Sequence, residues 1–208
     1  MRLTRLIAMI ATAFLFSPCV QGEVEAAAPK FRVGDTWTFD NVRSVDDRVP
    51  FTQTVLSIEA DKITVLNAPS GKTPSYSPTM MPLDPRGTEI ANVRFPLTVG
   101  AKWEVRHDWI DGKHFGTISK DCEVVAFERV VVPAGEFEAY RLTGTGWNKD
   151  KAETSPIGGD LHLTEIYWYA PAVKRVIKYQ GKQTKYFPGQ YVEVWSRTLE
   201  LKSYTLAE

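Results

Sequence analysis

The chain has 208 residues with 25 basic and 25 acidic side chains, a formal net charge of zero and 43% hydrophobic residues. That balance excludes a global field drawing the protein to nucleic acid or anionic membrane, and the length suffices for a sizeable core without metals. The cysteines are Cys19 and Cys122, and Cys19 lies in the N-terminal apolar segment, so an intrachain disulfide is excluded once that segment is removed.

Arg2 and Arg5 precede an apolar run from Leu6 to Phe16, closed by Ser17 and Pro18. This is the pattern of a secretory signal, and the run is shorter than the roughly 20 residues a bilayer span needs. Small side chains at Val20, Gly22, Val24 and Ala26 place the start of the mature chain between Glu23 and Ala27. The expected division is a signal peptide over 1–26 and a β-rich domain over 27–208, periplasmic or secreted, with no transmembrane span left after cleavage. Lipidation at Cys19 is the weaker alternative because Pro18 would sit beside the cut.

After this segment, Val-Gly-x-x-Trp occurs twice, at Val33, Gly34, Trp37 and at Val99, Gly100, Trp103. Each glycine suits a turn that admits the chain to a strand whose first inward side chain is the Trp. The copies share little else, which favours a repeated strand-opening device over a duplicated gene. "KITVLN" alternates with Ile63 and Val65 on one face, and "VEVW" alternates likewise with Val192 and Val194. From Asn67 to Pro96 six prolines break the pattern, so that stretch is a long connection or an edge.

Asp111-Gly112 marks a tight hairpin. Pairing Ile110 with Lys113 sets Trp109 opposite His114, His107 opposite Gly116, Val105 opposite Ile118 and Trp103 opposite Lys120. Trp103, Val105, His107 and Trp109 then share the inner face, while Glu104, Arg106 and Asp108 face water. Cys122 continues the second strand as a buried structural thiol. Pro133, Ala134 and Gly135 make a turn, Asn148–Asp160 reads as a flexible hairpin tip, Pro171 stops the strand holding Trp168, and Val173 starts the next. The fold expected is all-β, a single domain of curved antiparallel sheet, as a sandwich or open barrel.

The chemistry-bearing residues are sparse. His107 and His114, diagonal in that register, could share a metal ion, with Met80 or Met81 as soft ligands, but two imidazoles fall short of a full ligand set. His162 reads as a surface strand residue. No nucleophile elbow, zinc-protease helix or phosphate loop occurs, and "TGTGW" lacks the helix a dinucleotide site requires. No catalytic residue and no cofactor are therefore assigned. Lys174, Arg175, Lys178, Lys182 and Lys185, interleaved with Tyr179, Tyr186 and Phe187, would suit an anionic envelope ligand.

"VVVPAGEFEAYRL" (130–142) and "YWYAPAVKRVIKY" (167–179) resemble motifs of a group of exported bacterial β domains of unknown function. The resemblance covers the C-terminal half and implies fold and export, without an activity. The function expected is a non-enzymatic binding or accessory role in the envelope. An aromatic-lined cleft would hold an apolar or glycan ligand, or another envelope protein would bind, with no nucleic acid as partner. Trp103, Trp109, Trp168, Tyr169, Lys174 and Arg175 are the candidate ligand contacts. The alternatives are a hydrolase or transferase acting on envelope polymers and a structural part of a surface assembly.

Overall fold

The computed structural model describes residues 25–42, 48–112, 114–151 and 159–208, so the signal-peptide reading and residues 152–158 of the expected hairpin tip fall outside the described residues. Ten strands form one antiparallel sheet: β1 (Thr36–Val42), β2 (Arg48–Ile58), β3 (Ile63–Ala68), β4 (Ser75–Tyr76), β5 (Lys102–Asp111), β6 (His114–Val132), β7 (Gly135–Asp150), β8 (Gly159–Ala170), β9 (Arg175–Phe187) and β10 (Gln190–Thr205). Their order is β4-β3-β2-β1-β10-β9-β8-β7-β6-β5. The sheet is curved and open, as the all-β expectation allowed. Among the described residues no helix is long and apolar enough to cross a membrane.

The chain enters inside the sheet at β1, meanders out to the β4 edge, and crosses to the opposite edge at β5. It then meanders back until β10 pairs with β1, from Thr36 opposite Thr205 to Val42 opposite Thr198. The crossing segment, residues 77–101, contains most of the Pro-rich stretch. It is not a bare loop: Met80, Met81, Val93 and Leu97 are buried. Proline and the lack of alternation keep it out of the sheet, while these apolar side chains pin it to the inner face.

Two apolar clusters form the core. One gathers Trp37, Phe39, Val55, Ile63, Val65, Met80, Ile177 and Leu201. The other gathers Met81, Val93, Leu97, Trp103, Val105, Cys122, Leu142, Tyr167 and Tyr169. Each Val-Gly-x-x-Trp copy supplies the Trp of one cluster. Gly34 (φ 95°) and Gly100 (φ 92°) both take the left-handed region where a Cβ would be strained.

The hairpin on Gly112 forms with its inner face as expected, but its register differs by two residues. Asp111 pairs with His114, Trp109 with Gly116, His107 with Ile118, Val105 with Lys120 and Trp103 with Cys122. The physical reason is the Trp109 ring, which lies across Gly116, where an added Cβ would come within 2.7 Å of it. A two-residue shift keeps every side chain on its face, so Trp103 and Val105 are still buried. Two further details differ. "VEVW" has no buried face, because a bulge between Glu193 and Trp195 interrupts the β9–β10 ladder and this end projects into solvent. After Pro171 the chain makes a 3-10 turn, Pro171–Val173, and Lys174 adopts φ 60° before β9 begins at Arg175.

Candidate ligand cavity

A cavity of about 690 Å³ opens between the inner face of the sheet and the crossing segment. That volume lies within the roughly 300–1,000 Å³ of small-molecule sites. Phe39, Phe51, Val176 and Leu199 come from the strands, and Met80 and Val93 from the crossing segment. Phe39 and Phe51 are cross-strand partners in β1 and β2, and their rings stack at 5.4 Å. Ala68, Pro69 and Arg197 are exposed at the rim.

Polar groups converge on one side of this apolar space. Gln53 is buried and donates from Nε2 to Asn67 Oδ1 (3.1 Å) and Tyr76 Oη (3.0 Å), while its Oε1 accepts from Arg175 Nη2 (2.6 Å). Arg175 Nη1 donates to the Met80 carbonyl (3.3 Å), which ties β9 to the crossing segment. The guanidinium also lies 5.5 Å from the Trp37 ring and 5.9 Å from Phe39, within cation–π range. Burial lowers its pKa from the ordinary arginine value, yet an arginine stays charged at neutral pH. Arg175 Nε and Asn92 Oδ1 are buried with no hydrogen-bond partner.

A second polar group borders the cavity through Glu165, Tyr167 and Tyr179. Lys120 Nζ donates to Glu165 Oε2 and to Tyr167 Oη, the latter at 3.1 Å. Tyr179 Oη donates to Glu165 Oε1 (2.7 Å). Glycines inside strands make room for this network. A Cβ at Gly181 would come within 2.6 Å of Tyr179 Cζ, and one at Gly144 within 3.3 Å of Lys120 Cδ. Burial raises the Tyr167 hydroxyl well above the tyrosine value, and burial followed by the Glu165 charge raises Tyr179. Cys122 beside them is buried, and burial pushes its thiol up to about 11, the state of an unreactive structural thiol at neutral pH.

Of the six residues expected to contact ligand, Arg175 lines the cavity. The other five lie elsewhere. Trp103 donates to the Ala91 carbonyl (2.8 Å), Trp109 to Asn148 Oδ1 (2.8 Å) and Trp168 to Glu128 Oε1 (2.9 Å). Tyr169 is buried against Phe95, and Lys174 pairs with the buried Asp35 at 3.0 Å. The observed register sets His107 opposite Ile118, four residues along β6 from His114, a separation of about 13 Å along the strand. The two imidazoles are thus not brought together, and no group of three His, Cys, Asp or Glu side chains placed to hold a metal occurs among the described residues.

Sequence reasoning missed Phe39, Phe51, Gln53 and Leu199 as lining residues, and the Lys120–Glu165 pair. The available signal was Gly144 and Gly181 inside strand patterns, since a strand glycine marks close approach of another group.

No protein-family model matches the chain, and no curated protein matches it. Three solved structures are similar. A candidate lipoprotein from Parabacteroides distasonis is 13% identical, with a TM-score of 0.48 over 86% of this chain and 99% of that one. A candidate exported protein with a YmcC-like fold from Bacteroides fragilis is 12% identical, with a TM-score of 0.43 over 86% and 99%. The hypothetical lipoprotein YmcC from Escherichia coli is 12% identical, with a TM-score of 0.39 over 80% and 84%.

Proposed function

We propose that the protein is an exported binding protein of the cell envelope whose cavity takes an apolar ligand. The observation that carries this reading is a cavity of about 690 Å³ walled by Phe39, Phe51, Val93 and Leu199 beneath a segment that spans the sheet. Filling such a space removes apolar surface of both partners from water. The glycan reading is less favoured, because the indoles of Trp103, Trp109 and Trp168 spend their N–H groups inside the protein and none lines the cavity. Export rests on the charged and apolar pattern of the first residues. Ala26 exchanges backbone hydrogen bonds with Leu97 at 3.0 and 2.8 Å; a cut after Gly22 keeps this bridge, whereas the cut after Ala26 that gives the 1–26 division removes it.

The test is titration with the neutral fluorophore N-phenyl-1-naphthylamine. Saturable binding is expected for the wild type and at least tenfold weaker binding for Leu199→Trp, which fills the cavity. Absence of saturable binding, or an unchanged affinity in a Leu199→Trp protein with native far-ultraviolet circular dichroism, would overturn the reading.

A further inference from the structure

Arg175 is a cation in an apolar cavity, and no described carboxylate pairs with it. Two of its N–H donors are used, by the Met80 carbonyl and Gln53 Oε1, both neutral, and its buried Nε has no acceptor. The other charges on the cavity wall are compensated or peripheral. Glu165 is held by Lys120 and the Tyr179 hydroxyl, and Lys178 pairs with Glu200 at 3.2 Å. Arg197, which makes no ion pair among the described residues, stands exposed at the rim.

A charge partly withdrawn from water without a counter-ion is costly, and the fold here brings the half-buried Arg175 in from a specific turn. The 3-10 turn and the left-handed Lys174 separate the two neighbouring cations: Lys174 goes to the buried Asp35, and Arg175 turns to the cavity. Each Nη carries a second N–H beyond the bonds to Met80 and Gln53, and such donors on a guanidinium suit carboxylate or phosphate oxygens. We propose that the cavity selects amphipathic ligands, a single apolar chain bearing an anionic carboxylate or phosphate head, with the head on Arg175 and the chain along Phe39, Phe51, Val93 and Leu199. This rests on the apolar-ligand reading and adds the class of head group.

The experiment displaces N-phenyl-1-naphthylamine at pH 7.5 with decanoate, decyl phosphate, decanol and inorganic phosphate. The wild type should prefer decanoate and decyl phosphate to decanol by roughly tenfold or more, the scale of a charge-assisted hydrogen bond. Inorganic phosphate should not compete at the same concentrations. Arg175→Gln should reduce the preference to about twofold or less, and Arg175→Lys should retain part of it. Arg197→Gln should leave most of the preference, as expected of an exposed charge.

Equal affinity of the wild type for decanol and decanoate would overturn the head-group assignment and leave the apolar-ligand reading standing. No binding of the neutral probe would overturn both. Competition by inorganic phosphate as strong as by decyl phosphate would overturn the amphipathic assignment, since the chain would then add nothing. Should Arg175→Gln fail to fold, the wild-type comparison of the four compounds still decides.

Discussion

The two Val-Gly-x-x-Trp segments build the same backbone in two different surroundings. In the first, Gly34 N–H donates to the Val55 carbonyl (2.9 Å) and Val55 N–H returns to the Asp35 carbonyl (2.9 Å); in the second, Gly100 donates to Val124 (2.7 Å) and Val124 returns to Ala101 (3.0 Å). Both valines on the neighbouring strand precede a bulge, between Val55 and Ser57 and between Val124 and Ala126. Both tryptophans donate to a distant carbonyl, Trp37 to Val173 and Trp103 to Ala91, each at 2.8 Å. The neighbours differ. Asp35 is fully buried and accepts from Arg32 N, Ala207 N and Lys174 Nζ, so the first copy knots both ends of the domain to the turn that delivers Arg175. The second copy has Ala101 there, and its Trp holds only the crossing segment. A short local pattern can thus fix a backbone, while what that backbone supports depends on one adjacent side chain.

The largest expected effect separates the two tryptophans. Trp37→Ala and Trp103→Ala should each cost about 3–5 kcal/mol, the range for removing a large aromatic from a core, with Trp37 the worse. Trp37 is fully buried and carries the Arg175 contact, whereas Trp103 keeps 8% exposure. Urea unfolding measures both. Limited proteolysis should show faster cleavage within residues 77–101 in Trp103→Ala than in Trp37→Ala, and the reverse order would break the assignment of Trp103 to the crossing segment.

What the sequence made legible follows the same division between backbone device and surroundings. Period-2 runs exposed the strands because alternation is enforced wherever one face is buried, as at Ile63 and Val65. The Val130–Leu142 segment showed its turn through Pro133 and Gly135. The hairpin register escaped because Asp111-Gly112 fits more than one turn, and the deciding contact, Trp109 over Gly116, exists only once the strands are paired. A cleft was expected, but its lining escaped for a related reason: it comes from strands far apart in the chain, brought together by curvature and by β10 closing onto β1. Counting tryptophans did not lead to the rings that line the cavity, because the indoles of Trp103, Trp109 and Trp168 find partners elsewhere in the fold. Arg175 was visible as part of a basic run, but the alternation that sends Lys174 and Arg175 apart depends on the 3-10 turn.

A smaller effect tests whether the two openings are equivalent as backbone. Gly34→Ala and Gly100→Ala place a Cβ at φ 95° and 92°, at about 1–3 kcal/mol each. Neither meets a clash: Ala207 Cβ would lie 3.7 Å from the first, and nothing lies within 4 Å of the second. The costs by urea unfolding should therefore be alike, both within that range. A much larger loss at Gly34 would show that the Asp35 knot, and not the turn alone, depends on that glycine.

The smallest effect distinguishes the second core by pH. His107 lies half-buried at its margin, with Nδ1 3.2 Å from the Asp108 carbonyl. Burial lowers its pKa below the ordinary 6.5, and the Lys120 charge acts in the same direction against the opposing Asp108 carbonyl, Glu165 and Asp84. The folded protein then binds this proton less readily than the unfolded chain, so stability rises with pH across the window between the two values. It is complete above about 6.5 and falls as the pH drops below that, toward the lower folded value. Thermal melts at pH 7.5 and 5.5 should show the wild type losing a few degrees at most, and His107→Gln losing less, because the amide does not titrate. The first core, with Trp37, should give no matching step in this range, so Trp37→Phe should leave the pH difference unchanged. A wild type more stable at pH 5.5 than at 7.5 would mean that His107 gains its proton in the folded state, and the burial account of its environment would fail.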